Sequence, residues 1–178
     1  QASDAICIYE LDGKILEANE KVSELLGYGH AELLQMSFRD LIPPATEAEF
    51  EHTFVRMVAG ETVLGEREML RRDGRAFPVE MSARMIGDHV IQCIVRDVTE
   101  RNRVLHEQRV MAQLAVDLAG AKTIDRIGAA VHRAVDRLWT WDAMVFAIRR
   151  SGTGSFRTVV QIDTDRKSTR LNSSHVSQ

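Results

Sequence analysis

Cysteine, proline and long apolar runs are all scarce in this sequence of 178 residues, and each scarcity removes a class of protein. The two cysteines, Cys7 and Cys93, lie far apart within apolar strand-like runs, so they read as reduced core thiols of a cytoplasmic protein and not as a disulfide framework. No apolar stretch approaches the roughly 20 residues that cross a bilayer, and residues 1–30 lack a basic start followed by an apolar segment. No membrane contact by this stretch is expected. Because the chain starts at Gln1 inside a strand-like context, it is expected to be a piece of a longer protein, whose other parts can still be membrane-anchored. An excess of positive charge is missing too: 23 lysines and arginines face 26 acidic residues and form no basic stripe, which argues against a nucleic-acid partner. What is present, 44% hydrophobic and 28% charged residues, suffices for one good core and part of a second.

Residues 5–18 hold two short apolar runs, Ala5 to Tyr9 and Ile15 to Ala18, on either side of Leu11-Asp12-Gly13-Lys14. Asp-Gly between such runs predicts a tight hairpin, the glycine taking the positive φ that the turn needs. From Asn19 the spacing turns helical, with Val22, Leu25 and Leu26 stopping at Gly27. Ala31 to Gln35 predicts another short helix, and Phe38, Leu41 and Ile42 run up to Pro43-Pro44, which cannot continue one. Thr46 with Glu49 three residues later has the capping-box form, opening a longer helix with Phe50, Phe54, Met57 and Val58 on one face and Gly60 at its end. From Thr62 the period drops to two. Met69-Leu70, a second Asp-Gly turn at Asp73-Gly74, and the alternation Phe77, Val79, Met81, Ala83 predict a half-buried hairpin, and Gly87-Asp88 leads into a last strand from Val90 to Val98. Five antiparallel strands with helices on one face, an α+β fold, bury these stripes most economically.

In this order and spacing, residues 4–103 resemble a PAS domain, the sensory domain being expected over residues 1–103. The resemblance is carried by Leu11-Asp12-Gly13-Lys14-Ile15 leading to Asn19, by Leu26-Gly27-Tyr28 with Glu32-Leu33-Leu34, by Arg72-Asp73-Gly74 through Phe77-Pro78-Val79-Glu80, and by Arg96-Asp97-Val98-Thr99-Glu100-Arg101. It implies a ligand site between the sheet and the longer helix. Ile8, Phe54, Met57, Val58, Met81, Cys93 and Val95 are the expected lining, around either an unidentified small ligand or a filled core. The seven methionines lend such a lining plasticity.

The cofactor is left unknown, but two familiar ones are argued against. Flavin photosensors of the family carry an adduct-forming cysteine before an arginine in the helix cluster, where this chain has Phe38 before Arg39, and a flavin-reading glutamine where it has Val95. A flavin–cysteine adduct is therefore excluded. Haem-binding relatives place their iron ligand on the longer helix; counting back from Gly60 puts it near Glu49, and His52 lies outside the stripe of Phe50, Phe54 and Met57. A solvated histidine is expected there, with no metal and no catalytic residue anywhere.

After Thr99 a charged helix carries a narrow apolar stripe of Val104, Met111, Leu114, Ala115 and Leu118, expected over residues 99–119 as a linker through which the chain forms a homodimer. Asp97 with Glu100, and Thr99 on its own, are two competing caps for its start, and these three residues are the expected signal relay. His106-Glu107-Gln108-Arg109 is similar to the phosphoacceptor stretch of histidine kinases, yet Val110 and Met111 stand where the pattern needs a polar residue and a proline. Phosphorylation there is not expected. Residues 120–164, with Ile124, Ile127, Val131, Val135 and Leu138 in a helical stripe, Trp141 to Ile148 strand-like and a turn at 151–154, resemble the truncated start of a GAF domain. Residues 165–178 are polar and aperiodic, and are similar to one translated frame of a sequencing adaptor; they are expected to be an artefact of assembly or a disordered tail.

By these resemblances the chain is a sensory module that relays a conformational change to a C-terminal effector domain lying outside it. Histidine kinase output is the leading expectation. The alternative is a ligand-free dimerisation module in a cyclic-dinucleotide enzyme or a transcription regulator.

Overall fold

A computed structural model describes residues 4–140, 143–149 and 156–163. The chain divides into two units, Gln1–Asn102 and Arg103–Gln178.

The first unit is built on an antiparallel five-stranded sheet in the order β2-β1-β5-β4-β3. Its strands are β1 (Ala5–Glu10), β2 (Ile15–Ala18), β3 (Val63–Leu70), β4 (Ala76–Met85) and β5 (Val90–Asp97). Between β2 and β3 run α1 (Glu20–Leu26), α2 (His30–Leu33), two single 3-10 turns at Phe38–Leu41 and Pro44–Thr46, and α3 (Glu47–Val58). The first hairpin closes at Asp12-Gly13 as its sequence predicts. Gly13 has φ +96°, and a Cβ there would stand 2.5 Å from Ser37 Oγ, so glycine is required both by the turn and by the close approach of the Ser37 strand bridge.

Asn19 shows why α1 starts where it does. Its side-chain oxygen accepts from the N–H of Val22, capping the helix, and from the N–H of Ile6, while its amide donates to the Asp4 carbonyl. One residue thus starts a helix and ties it to β1. Gly27 closes α1 in the left-handed conformation, and the N–H of Arg72 donates to the Leu26 carbonyl, fixing the β3–β4 turn against the same end.

Alternation along the strands puts Ala5, Cys7 and Tyr9 of β1, Ile91, Cys93 and Val95 of β5, and Phe77, Val79, Met81 and Ala83 of β4 on one buried face. Val22, Leu26, Leu33, Phe38, Leu41 and Met57 cover it from the helical side. Two expectations for α3 are corrected. Thr46 does not cap the helix with its side chain; its hydroxyl donates to the Pro43 carbonyl at 2.9 Å, because the two prolines turn the chain there. Val58 is 51% exposed, since the helical period carries it past the face on which Thr53 and Met57 are buried.

The long helix α4 (Thr99–Ala119) begins in the first unit and continues into the second, where it is followed by α5 (Ile124–Leu138) and the antiparallel pair β6 (Ala143–Arg149) and β7 (Phe156–Asp163). Thr123 caps α5, an amphipathic helix whose buried positions are Gly128, Ala130 and Ala134, while Ile124 of the expected stripe is 40% exposed. Val110 of α4 is buried against the α5 face of Ala130 and Ala134, with Asp117 paired to Arg133 at 2.7 Å beside them. Hydrogen bonds from Arg133 and Gln113 hold the Asp117 carboxyl below its usual range. The turn at 151–154, Trp141 and the tail 165–178 lie outside the described residues.

Candidate functional site

Beneath α3 the two layers do not close completely. A cavity of about 20 Å3 remains, walled by Tyr9, Ile42, Thr53, Met57, Arg67 and Met81. It is mainly apolar, and its polar groups come from both layers, Tyr9 and Arg67 from strands and Thr53 from α3. Arg67 points inward because it shares the face of Val63 and Met69 on β3, and its guanidinium donates to Thr53 Oγ1 at 3.3 Å and to the Glu66 carbonyl at 2.8 Å. Gly65 makes room for it: a Cβ there would lie 3.0 Å from Arg67 Nη1.

Tyr9 is the most telling wall residue. Its ring stacks on Phe38 with centroids 4.3 Å apart and planes 13° from parallel, and both side chains are fully buried. Among the described residues its hydroxyl has no hydrogen-bond partner. A buried polar group left in that state costs about 1–3 kcal/mol, so the site offers an unused donor and acceptor inside an apolar chamber. Burial, with the nearby Cys93 and Cys7 thiols adding to it, pushes the phenol far above its ordinary range, which keeps it protonated and able to donate. Cys7 and Cys93 face each other directly across β1 and β5, and desolvation raises the Cys7 thiol to about 12 and raises Cys93 as well. Both are inert thiols at neutral pH.

Of the residues expected to line a pocket, Met57 and Met81 are brought to this cavity. Cys93 and Val95 are buried on the same sheet face without walling it, and Phe54 packs half-buried against the core. Ile8 is a correction: it lies on the opposite face of β1 from Tyr9, so Tyr9 occupies the role assigned to its neighbour. The run Ala-Ile-Cys-Ile-Tyr has no polar residue to say which alternate set faces in. Val58 points away, as described. Arg67 and Thr53 were missed because polar residues in a strand and a helix read as solvent-facing, although the spacing from Val63 and Met69 marks the face of Arg67. His52 is exposed.

At the end of β5, Asp97 accepts from the N–H of Thr99 at 2.8 Å and pairs with Arg71 at 2.6 Å. Partial burial alone would raise its pKa, but the hydrogen bonds from Thr99 and Arg71 together outweigh it and hold the carboxyl below the usual range. The helix starts at Thr99 in this structure, and Glu100 lies in the same first turn, so the three residues expected to relay the signal stand together at the helix start.

On α4, Val104, Met111 and Leu118 recur at heptad spacing and are 37%, 54% and 39% exposed. Leu114 does not share their seam. It is half-buried beside Val110 in a groove shared with Ala130 and Ala134, because a helix that packs on α5 turns that position inward.

A family model described as PAS domain matches residues 3–100. Over 143 residues the chain is 30% identical to the methyl sulfide methyltransferase-associated sensor of Methanosarcina acetivorans, an alignment spanning 75% of this chain and 14% of that protein. It is 22% identical over 139 residues to the sensor histidine kinase TmoS of Ectopseudomonas mendocina, spanning 74% of this chain and again 14% of the relative. The chain thus spans a small part of the length of these relatives. Among solved structures, a PAS domain from Colwellia psychrerythraea matches with a TM-score of 0.50 at 25% identity, covering 55% of this chain and 88% of that one.

Proposed function

This chain belongs to the PAS domain family, and from that membership we propose that its first unit senses a small molecule in the cavity beneath α3. The unit is sensory and not catalytic. The observation that carries the reading is Tyr9, a buried donor with no partner among the described residues, at the wall of an apolar chamber between sheet and helix. A ligand acts by binding two states of the protein with different affinity. Admitting more than the one water-sized group that 20 Å3 holds requires α3 to shift, which supplies the second state.

We assign sensing to residues 1–103, a linker helix to residues 99–119, and the opening of a GAF-like second domain to residues 120–164. The output is a C-terminal effector, with a histidine kinase favoured by the similarity to TmoS, and the linker joins two copies. No helix of the described residues is long and apolar enough to cross a membrane. Native mass spectrometry of freshly purified protein tests the sensing role: a retained small molecule, lost on Tyr9→Phe, is expected. An empty protein that binds nothing in ligand screens overturns it.

The exposed seam of Val104, Met111 and Leu118 favours a second reading, a PAS module that only dimerises. Analytical ultracentrifugation of the wild type and Met111→Lys separates the two: a dimer lost on substitution, with an empty core, supports scaffolding alone.

A further inference from the structure

On the outer face of the sheet, β3 and β4 set Glu66 directly across from Glu80, a pairing of like charges that by itself opposes the ladder. The first turn of α4 answers it. Arg101 donates from Nη2 to Glu66 at 2.7 Å and from Nη1 to Glu80 at 3.0 Å, and the Asn102 amide donates to the second oxygen of Glu66 at 3.3 Å. A cation in the first turn of a helix stands against the macrodipole, so helix stability does not account for Arg101. The two carboxylates do. Strand alternation gives the same pair a second consequence, because the residue after each glutamate points through the sheet to the other face. Those residues are Arg67 and Met81, and both wall the cavity beneath α3. Arg67 also holds the Glu66 carbonyl while reaching Thr53.

We propose that Arg101 is the positioning residue that couples the cavity to α4. A shift of β3 against β4 at Arg67 and Met81 alters the spacing of Glu66 and Glu80 on the far face, and the guanidinium spanning both carries it into the first turn of the helix. The inference rests on the cavity being the sensory site, and it adds the β3–β4 hairpin to the expected relay of Asp97, Thr99 and Glu100. Asp97 sets where α4 starts; Arg101 sets where its first turn rests.

The test uses the full chain and needs no ligand. Hydrogen exchange is followed at the Asn102 N–H, which donates to the Val98 carbonyl, in the wild type, Arg101→Gln, Arg101→Lys, Glu80→Gln, Thr53→Val, and Thr53→Val combined with Arg101→Gln. Arg101→Gln is expected to speed exchange about three- to tenfold, with Lys, which lacks the planar fork, and Glu80→Gln in between. Salt at about 1 M reproduces the effect in the wild type and not in Arg101→Gln. Thr53→Val, made on the cavity side, changes exchange at Asn102 by about twofold or more in the wild type and not in the Arg101→Gln background. Wild-type exchange in Arg101→Gln, or an equal effect of Thr53→Val in both backgrounds, overturns the proposal. An empty protein in native mass spectrometry would remove the sensing role and leave this cycle standing, so the two failures are distinct.

Discussion

The two faces of the five-stranded sheet hold the same strands by opposite means. The inner face and its cover are dry: Tyr9, Phe38, Cys93, Val79 and Ile91 are exposed by about 1% or less, the thiols are neutral, and the Tyr9 hydroxyl, without a partner among the described residues, is enclosed. The outer face is wet and charged, carrying Arg96 on Asp4 at 2.9 Å and Arg101 on Glu66 and Glu80. Burial is strong and insensitive to salt, whereas exposed ion pairs are weak and screened. A domain that must both persist and respond gains from keeping its stability on one face and its adjustable contacts on the other.

That contrast can be broken from the inside first. Phe38→Ala removes a fully buried ring from the stack on Tyr9 and is expected to cost about 3–5 kcal/mol in urea unfolding. A loss below about 1 kcal/mol would show that the inner face is loosely packed. Labelling with a thiol reagent at pH 8 is the next largest effect. With the Cys7 thiol at about 12 against an ordinary 9.0, its thiolate fraction falls on the order of a thousandfold, so native protein should label at the rate of global unfolding. Rapid labelling of either cysteine would mean that the core opens readily.

Tyr9→Phe sharpens the contrast by its sign. Removing a buried hydroxyl that lacks a partner should raise stability by about 1 kcal/mol in ligand-free protein, where nearly every other core substitution lowers it. The smallest effect belongs to the charged side. Asp97 has a folded pKa below its ordinary 3.8, so its contribution is fully present above that value and is lost as pH falls through the lower folded one. Melting temperature against pH should drop more gently as pH falls below about 4 in Asp97→Asn than in the wild type. Identical acid limbs would show that the Arg71 pair contributes nothing.

Much of the fold was legible in local pattern. Asp12-Gly13 and Asp73-Gly74 marked two hairpins, Asn19 and Gly27 bracketed α1, and the alternation from Phe77 to Ala83 named its own inner face. The candidate site was legible in part. Met57 and Met81 followed from helical and strand periods, but five consecutive apolar residues carry no phase, so nothing in the run from Ala5 to Tyr9 separates Ile8 from the inward set. Thr46 and Thr99 had the composition of caps and do other things, since a cap depends on backbone angles that the neighbouring prolines and the Asp97 carboxylate decide.

The order of elements, their types and the existence of one buried sheet face were determined by the sequence itself, because turn chemistry and periodicity act over a few residues. Tertiary structure decided what lies across from what. Glu66 meets Glu80 and Arg101, and Cys7 meets Cys93, only through strand register and the path of α4. Whether the Tyr9 hydroxyl finds a partner was likewise settled by groups far away in the chain. A hydrogen bond needs its two atoms within about 3 Å, and no local preference fixes such a distance between residues from different strands.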